Sequence, residues 1–417
     1  MGPTALFDKS FLQSLSVDES VWFDNFFIPV ICPLFYVETL GDLDKNLKNK
    51  KSPEKLVQSI AKKFPETSGA PCAFHIDIAV NNLLGMEIPM DGRIPSSRVT
   101  PVKDQGEEGL VIKSIPEAEA FFRWQRGEFM EVEKSFARFW RTYLASLDLN
   151  KISHKFKALG IGKIPCNNLE EAAEIAKNFV SSQIQEFEKL RLCFIFLNLH
   201  QNIQKIIIRE WRRIGRPPLS SYAPYAAYVL KLEVFFQLAV NSNLISGQRS
   251  SNRIDIGYLF YLPFCQIFIS NDKLHQSCAP FFLRDNQEFI WGPNLKKDLA
   301  ELNKKYMELP EEVKEKGIMH FAYHPPNDKK YLVTRLWDKH LQKRRNKITK
   351  DRLDGPQLTT KIIKTIELAN TPTKEKEFTM PTDPQFLITR RKTHKKRGSW
   401  WQVPKNIDTK EPTKNKN

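Results

Sequence analysis

Four acidic side chains carry the chemistry that this chain could perform: Asp8, Glu38, Asp255 and Asp272. Each lies at the end or the start of an apolar run. Carboxylate oxygens are the ligands that Mg²⁺ and Mn²⁺ prefer, and several carboxylates close together repel one another unless a cation lies between them. A cation held there would activate a water molecule for phosphodiester hydrolysis. The four acids are therefore predicted to be both the metal ligands and the catalytic residues.

Convergence of the acids requires a sheet whose strands end at a common edge. Asp8 follows a short apolar strand predicted at 4–8, and Asp272 follows a second predicted at 266–270. A third strand is predicted at 28–37, confined mainly to 34–37 by two prolines, with Glu38 opening the next helix. These runs lack polar alternation, as in a parallel sheet covered on both faces. Strand followed by helix, twice over, predicts an α/β fold.

The remaining pattern divides the chain into four segments. The α/β pattern occupies 1–50 and returns at 217–338. Between them, 51–216 has strong helical periodicity and is predicted to be a mostly helical insertion. Residues 339–417 are rich in Lys, Thr, Pro and Asn, and few apolar clusters interrupt them. This tail is predicted to be basic and largely disordered.

Composition narrows the class of protein. The 417 residues carry a formal charge of +16, and the last 80 contribute +12 of it through 21 Lys or Arg against 9 Asp or Glu. The six cysteines are irregularly spaced, which predicts buried reduced thiols and no zinc or disulfide framework. No apolar stretch approaches the roughly 20 residues of a membrane helix. The expectation is a cytoplasmic protein without a membrane partner.

The segments around the acids resemble the successive acidic motifs of PIN-domain nucleases. The matching segments are Leu6-Phe7-Asp8-Lys9-Ser10, Tyr36-Val37-Glu38-Thr39-Leu40, Ile254-Asp255-Ile256-Gly257-Tyr258-Leu259 and Phe268-Ile269-Ser270-Asn271-Asp272. The resemblance implies a Rossmann-like, three-layer α/β/α domain with a central parallel sheet. It also implies Mg²⁺ or Mn²⁺ as cofactor and endonuclease cleavage, of RNA more than of DNA. Ser10 and Ser270 would be accessory hydrogen-bonding or phosphate-contacting groups.

The resemblance covers only about residues 1–45 and 220–310, because Glu38 and Asp255 lie 217 positions apart. Each acid also has a structural alternative. Asp8, Asp255 and Asp272 could cap helices, and Glu38 could complement a helix dipole in a first turn. The alternative function is an inactive PIN-like scaffold that binds nucleic acid or protein, for example within a defence or toxin-like system. A phosphatase-like hydrolase is the third.

Three basic clusters in the tail are predicted to contact nucleic acid. Clustered cations bind phosphates by releasing counterions, and aromatic rings stack on bases. The alternative is a solvated tail that only aids solubility. The clusters are Lys343, Arg344 and Arg345, then Arg390, Arg391 and Lys392, then Lys395, Lys396 and Arg397, the last followed by Trp400-Trp401.

Overall fold

A five-stranded parallel sheet lies at the centre of the computed structural model. Its strands are β1 (Thr4–Phe7), β2 (Ile28–Ile31), β3 (Ala70–Pro71), β6 (Ile267–Ser270) and β7 (Glu288–Trp291), in the order β3-β2-β1-β6-β7. Every neighbouring pair is parallel. The α/β prediction is confirmed, and the sheet is consistent with a three-layer arrangement. The structure describes residues 2–45, 52–96, 99–104, 107–112, 116–158, 160, 165–182, 184–348 and 394–406.

Helices form most of the other residues that the structure describes. They are α1 (Lys9–Ser14), α2 (Val17–Phe26), α3 (Pro33–Gly41), α4 (Pro53–Ala61), α5 (His75–Leu83), α6 (Pro116–Gln125), α7 (Glu131–Ser146), α8 (Leu149–Ala158), α9 (Leu169–Ser181), α10 (Glu186–Phe196), α11 (Gln201–Arg213), α12 (Leu219–Tyr222), α13 (Pro224–Asn241), α14 (Asn252–Tyr258), α15 (Lys273–Cys278), α16 (Gly292–Met307), α17 (Glu311–Lys314), α18 (Ile318–Phe321) and α19 (Leu332–Ile348). Short 3₁₀ helices span Asp42–Asp44, Leu259–Phe264 and Ala279–Phe281. Two antiparallel hairpins complete the elements, β4 (Val99–Asp104) with β5 (Glu107–Ile112), and β8 (Lys396–Arg397) with β9 (Trp400–Trp401).

The register of the central strands decides where the acids lie. Phe7 of β1 is paired with Ile269 of β6, so Asp8 follows one strand beside the point where Ser270 ends the other. The side chains of β6 are all buried, and those of β1 are buried from Ala5 onward. Burial on both faces explains the unbroken apolar runs that predicted these strands.

The predicted strand at 28–37 is wrong in its second half. The strand β2 ends at Ile31, and the chain then forms α3, with Pro33 in the first turn. Proline lacks the N–H that a strand ladder needs, whereas the first turn of a helix leaves that N–H without a partner anyway. Glu38 consequently lies in the second half of a helix and not in a first turn, so complementing a helix dipole does not explain it.

The segment predicted as an insertion contributes to the sheet. Edge strand β3 lies at residues 70–71, within 51–216, and pairs with β2 through Val30 and Ile31. A strand of two residues that ends in proline gives no periodic signal, and proline is tolerated at a sheet edge. The remainder of the segment is mostly helical, with one antiparallel hairpin.

The prediction of a disordered tail over 339–417 is wrong for residues 339–348, which continue helix α19, and for residues 394–406. The other tail residues lie outside the described residues. The hairpin of β8 and β9 packs against α2, where the Trp400 ring is fully buried and meets the Trp22 ring at 4.7 Å. The indole nitrogens of both tryptophans donate to Asn303 Oδ1, at 2.9 and 2.8 Å. The surrounding lysines and threonines gave this segment a composition typical of disordered chains. Two of its side chains, Trp400 and Arg397, are nevertheless buried against the folded body.

The second of these side chains is Arg397, which is 6% exposed. Its guanidinium donates to Ser20 Oγ at 3.0 Å and lies 3.4 Å from Asp24 Oδ2. Asp24 is itself buried and also accepts three backbone N–H groups from the loop before β3, at residues 66–68. Through Arg397 and Asp24, the hairpin of β8 and β9 is therefore connected to helix α2 and to the loop before β3.

Two other predictions concern the cysteines and membrane-spanning helices. All six cysteines are buried with free thiols, as expected. In the part of the chain that the structure describes, no helix combines the length and apolar character that a bilayer span requires.

Candidate functional site

Asp8 sits at the carboxyl end of β1 and caps α1. Its Oδ1 accepts the Phe11 N–H at 2.9 Å, and its Oδ2 accepts the Ser10 hydroxyl at 2.5 Å. Only 4% of Asp8 is exposed. Ser10 thus hydrogen-bonds to Asp8, and its accessory role toward a substrate stays a prediction. Capping and a site role are compatible here, because the cap fixes the carboxylate at the sheet edge.

Asp272 lies two residues beyond β6 and caps α15. Its Oδ1 accepts the Leu274 N–H at 2.6 Å, and its own N–H donates to Ser270 Oγ at 2.9 Å. Ser270 is fully buried. Its hydroxyl is thus committed inside the protein, which supports hydrogen bonding but not direct contact with a phosphate.

His275, which the sequence analysis did not select, connects three parts of the site. Its Nε2 lies 2.6 Å from the carbonyl oxygen of Asp255, its Nδ1 2.7 Å from Ser270 Oγ, and its Nδ1 3.9 Å from Asp8 Oδ2. A carbonyl oxygen only accepts, so Nε2 carries the hydrogen. In the neutral ring Nδ1 then accepts the Ser270 hydroxyl. One buried imidazole thereby holds β1, β6 and α14 together at this edge.

Glu38 reaches the same region from α3. Its Oε2 accepts the hydroxyl of Tyr258 at the end of α14. Burial raises the pKa of Tyr258 well above its usual range, with further contributions from the charges of Glu38, Cys32 and Asp8, so the phenol remains a donor. Lys9 lies on the other side, with Nζ 2.9 Å from Asp42 Oδ2 and 3.3 Å from the Glu38 carbonyl oxygen. Burial raises the pKa of Glu38 although Lys9 opposes the shift.

The charge environment shows that the four acids share one region. Burial raises the pKa of Asp255 from 3.8 to about 8, and the negative charges of Asp272, Glu38 and Asp8 add to the shift, in that order. Exposed Arg249 is the opposing charge. Asp8 is buried, whereas the other three acids are partly exposed, so the cluster opens to solvent on one side.

A hard divalent cation fits the chemistry of this donor set, because all four donors are carboxylates and a cation would relieve their repulsion. Among the described residues, however, no three His, Cys, Asp or Glu side chains are spaced to hold one ion as they stand. The two findings are compatible. Charges interact over longer distances than the roughly 2.0–2.6 Å of a coordination bond. Asp8, Glu38, Asp255 and Asp272 are the residues that would hold the ion, and binding requires their carboxylates to move closer together.

The comparisons with known proteins can be set beside this geometry. No protein-family model, no curated protein and no solved structure matches the chain. The four acids are therefore interpreted from their own contacts.

The basic residues of the tail divide into three groups. The prediction that Arg397 contacts nucleic acid is wrong, because its guanidinium is buried against Asp24 and Ser20. Lys395 is partly exposed and Lys396 exposed, the latter with Nζ 5.2 Å from the Trp401 ring centroid. The backbone of 343–345 is helical in α19, but the side chains of Lys343, Arg344 and Arg345 are outside the described set. Arg390, Arg391 and Lys392 lie outside the described residues.

His275→Phe is expected to lower the free energy of unfolding by about 2–3 kcal/mol. Phenylalanine keeps the ring contacts with Phe268 and Tyr258. It leaves the Ser270 hydroxyl hydrogen without its acceptor and removes the donor to the Asp255 carbonyl. Urea denaturation at pH 7 measures the loss. The control is His154→Phe at an exposed position, expected to change stability by less than about 0.5 kcal/mol. Equal effects of the two changes would contradict the bridging role.

Proposed function

We propose that this protein is a metal-dependent nuclease that hydrolyses phosphodiester bonds, those of RNA in preference to DNA, at the carboxyl edge of its parallel sheet. The observation that supports it most is the convergence of Asp8, Glu38, Asp255 and Asp272 from four different elements, with Asp255's pKa raised to about 8. The preference for RNA rests on the resemblance to PIN-domain nucleases. Mg²⁺ or Mn²⁺, when bound, supplies an activated water and neutralises charge on the phosphate.

Asp8, Glu38 and Asp255 have different roles in this proposal. Asp8 is held rigidly by Ser10 and the start of α1, which fixes one donor at the sheet edge. Glu38 is oriented by the Tyr258 hydroxyl. Among the described residues, no hydrogen bond is made to the Asp255 carboxylate, which leaves it free to turn toward a ligand or to carry a proton near neutral pH.

The second candidate function is a catalytically inactive scaffold that binds nucleic acid or protein. The spacing of the carboxylates favours it, since no three in the described ranges can share an ion without movement. A scaffold keeps the fold and the basic surface but has no need for the acids to approach one another. The two functions therefore differ in whether added metal changes anything at the cluster.

The test is cleavage of single-stranded and duplex RNA and DNA by the purified full chain with Mn²⁺ or Mg²⁺. Asp8→Asn and Asp272→Asn are each expected to reduce cleavage on the order of 100-fold or more, because each removes a charged metal ligand but keeps the shape of a helix cap. Asp44→Asn is the matched control, an exposed acid just after α3, and is expected to leave the rate unchanged.

Three results would overturn the proposal. Binding of polynucleotides without any cleavage indicates the scaffold. Turnover of small phosphoesters with no preference for polynucleotides indicates a phosphatase-like hydrolase. Cleavage that survives in both Asn variants places the activity elsewhere.

A further inference from the structure

A cavity of about 200 Å³ lies where the helical segment meets the α/β body. Its walls come from the end of α7, from α8 and α10, from α13 and from the start of α14. None of the four acids lines it. Its Arg253 is two residues before Asp255 on the seven-residue helix α14, so the cavity and the acidic cluster share one short helix.

Aromatic rings form much of the cavity wall. Phe156 and Phe196 are stacked with centroids 4.4 Å apart and planes at 15°. The Arg253 guanidinium lies 5.7 Å from the centroid of the Phe236 ring. Tyr143 is 46% exposed and continues outward to Phe139, which is 64% exposed and stacks on it at 6.4 Å. The aromatic rings of the cavity wall, and the exposed ring of Phe139 next to it, can stack on a flat aromatic ligand.

The cavity has few polar groups, of which Gln237 and Glu233 are buried. Gln237 is 4% exposed and lines the cavity. Among the described residues no protein group hydrogen-bonds to its side-chain amide, and the amide atoms are accessible from the cavity. Glu233, 2% exposed, accepts from Arg253 Nη1 at 3.0 Å. Because the amide is accessible from the cavity and has no partner within the described protein, it is available to pair with a polar ligand there. An aromatic wall with one open amide is the pattern of a small-molecule or base site.

We propose that this cavity binds one unpaired nucleobase of a single-stranded nucleic acid. This inference rests on the proposed function and narrows its substrate class to strands with accessible bases. An engineered apolar cavity of roughly 150 Å³ binds one benzene ring, so the volume suits a single base. A glutamine amide donates and accepts at once, as a base edge does. An acyl chain would leave Gln237 without a partner, and duplex bases are already paired and stacked.

The neighbouring surface agrees with this occupant. One exposed side of α7 carries Phe136 and Phe139, and Arg138 is exposed elsewhere on the same helix. Aromatic rings and cations combined bind single strands through stacking and phosphate contacts. Helix α7 packs on α3, the helix that carries Glu38, so the cavity wall and the acidic cluster are joined by packed elements.

The test measures binding apart from cleavage. Fluorescein-labelled ten-nucleotide single strands of each homopolymer sequence, and a duplex of equal length, are titrated with the full chain in EDTA and followed by anisotropy. Gln237→Leu is expected to weaken single-strand binding about 10-fold, and Tyr143→Ala by about 5- to 100-fold. Gln201→Leu and Phe187→Ala, both exposed, are the matched controls and should bind as wild type.

Folding is checked on the same samples. Gln237→Leu keeps a side chain of similar size and removes no hydrogen bond to a described residue, so its thermal midpoint should stay close to that of the wild type. A loss of binding in this variant is then not a loss of fold. Wild-type affinity in both cavity variants, absence of single-strand binding, or equal affinity for the duplex would each overturn the inference.

The result is separable from that for the proposed function. Cleavage with Mn²⁺ that does not depend on Gln237 keeps the nuclease and removes the base site. Binding that depends on Gln237 without any cleavage keeps the base site and removes the nuclease.

Discussion

Asp255→Asn is expected to raise the free energy of unfolding by about 2–4 kcal/mol at pH 9 in metal-free buffer. The pKa of Asp255 is raised from 3.8 to about 8 by burial and by three neighbouring carboxylates. Each unit of pKa corresponds to about 1.4 kcal/mol, and the partial exposure of the side chain reduces the nominal sum. Asparagine has the same shape without the charge, and no hydrogen bond to the carboxylate is lost among the described residues.

The sign of the pH dependence follows from the direction of the shift. A raised pKa means that the folded protein holds this proton more tightly than the unfolded chain does. The stabilising contribution is fully present below about pH 4 and is lost as the pH rises through about 8. The difference between wild type and Asp255→Asn should therefore be small at pH 4 and largest above pH 8.

Urea denaturation in EDTA at pH 4, 7 and 9 measures this difference, with Asp44→Asn as the exposed control. Adding Mn²⁺ at pH 9 is expected to stabilise the wild type more than the variant, because the ion relieves the same repulsion that the substitution removes. Parallel pH profiles for wild type and variant would show that Asp255 is not in a repulsive cluster. A site that costs stability in the absence of its ligand is a known trade between stability and function.

Trp400→Ala is expected to lower the free energy of unfolding by about 3–5 kcal/mol. The ring is fully buried between Trp22 and Phe321, and its indole N–H donates to Asn303. Removal of the ring leaves a cavity next to α2. It also removes the closest ring contact between the hairpin and the folded body. Because the hairpin also holds Arg397 against Asp24, the loss should extend to the loop before β3.

Trp401→Ala is the matched control for this prediction. Trp401 is partly exposed, and its ring meets the Lys396 and Lys405 ammonium groups at 5.2 and 5.9 Å. Exposed cation–π contacts contribute about 0.5–1 kcal/mol, so the control should lose about 1 kcal/mol. Denaturation curves of the two variants and the wild type make the comparison. Similar small losses in both would mean that the hairpin does not belong to the folded body.

Local sequence determined the strand ends and several helix starts of this protein. The apolar runs before Asp8 and Asp272 predicted β1 and β6, because burial on both faces of a parallel sheet leaves a pattern within a few neighbouring residues. The start of α2 is also fixed locally, since Ser16 and Glu19 form a capping box within one turn. The phenylalanines and isoleucines of these strands can be predicted to lie in the core from their neighbours in sequence alone.

Tertiary structure alone decided which side chains meet. Tyr258 contacts Glu38 across 220 positions, and Arg397 contacts Asp24 across 373. The raised pKa of Asp255, the bridging role of His275 and the unpartnered amide of Gln237 all depend on such distant neighbours. A residue's type and local pattern fix the element it lies in, but burial, charge repulsion and hydrogen-bond partners are set by segments that the chain brings together only when it folds.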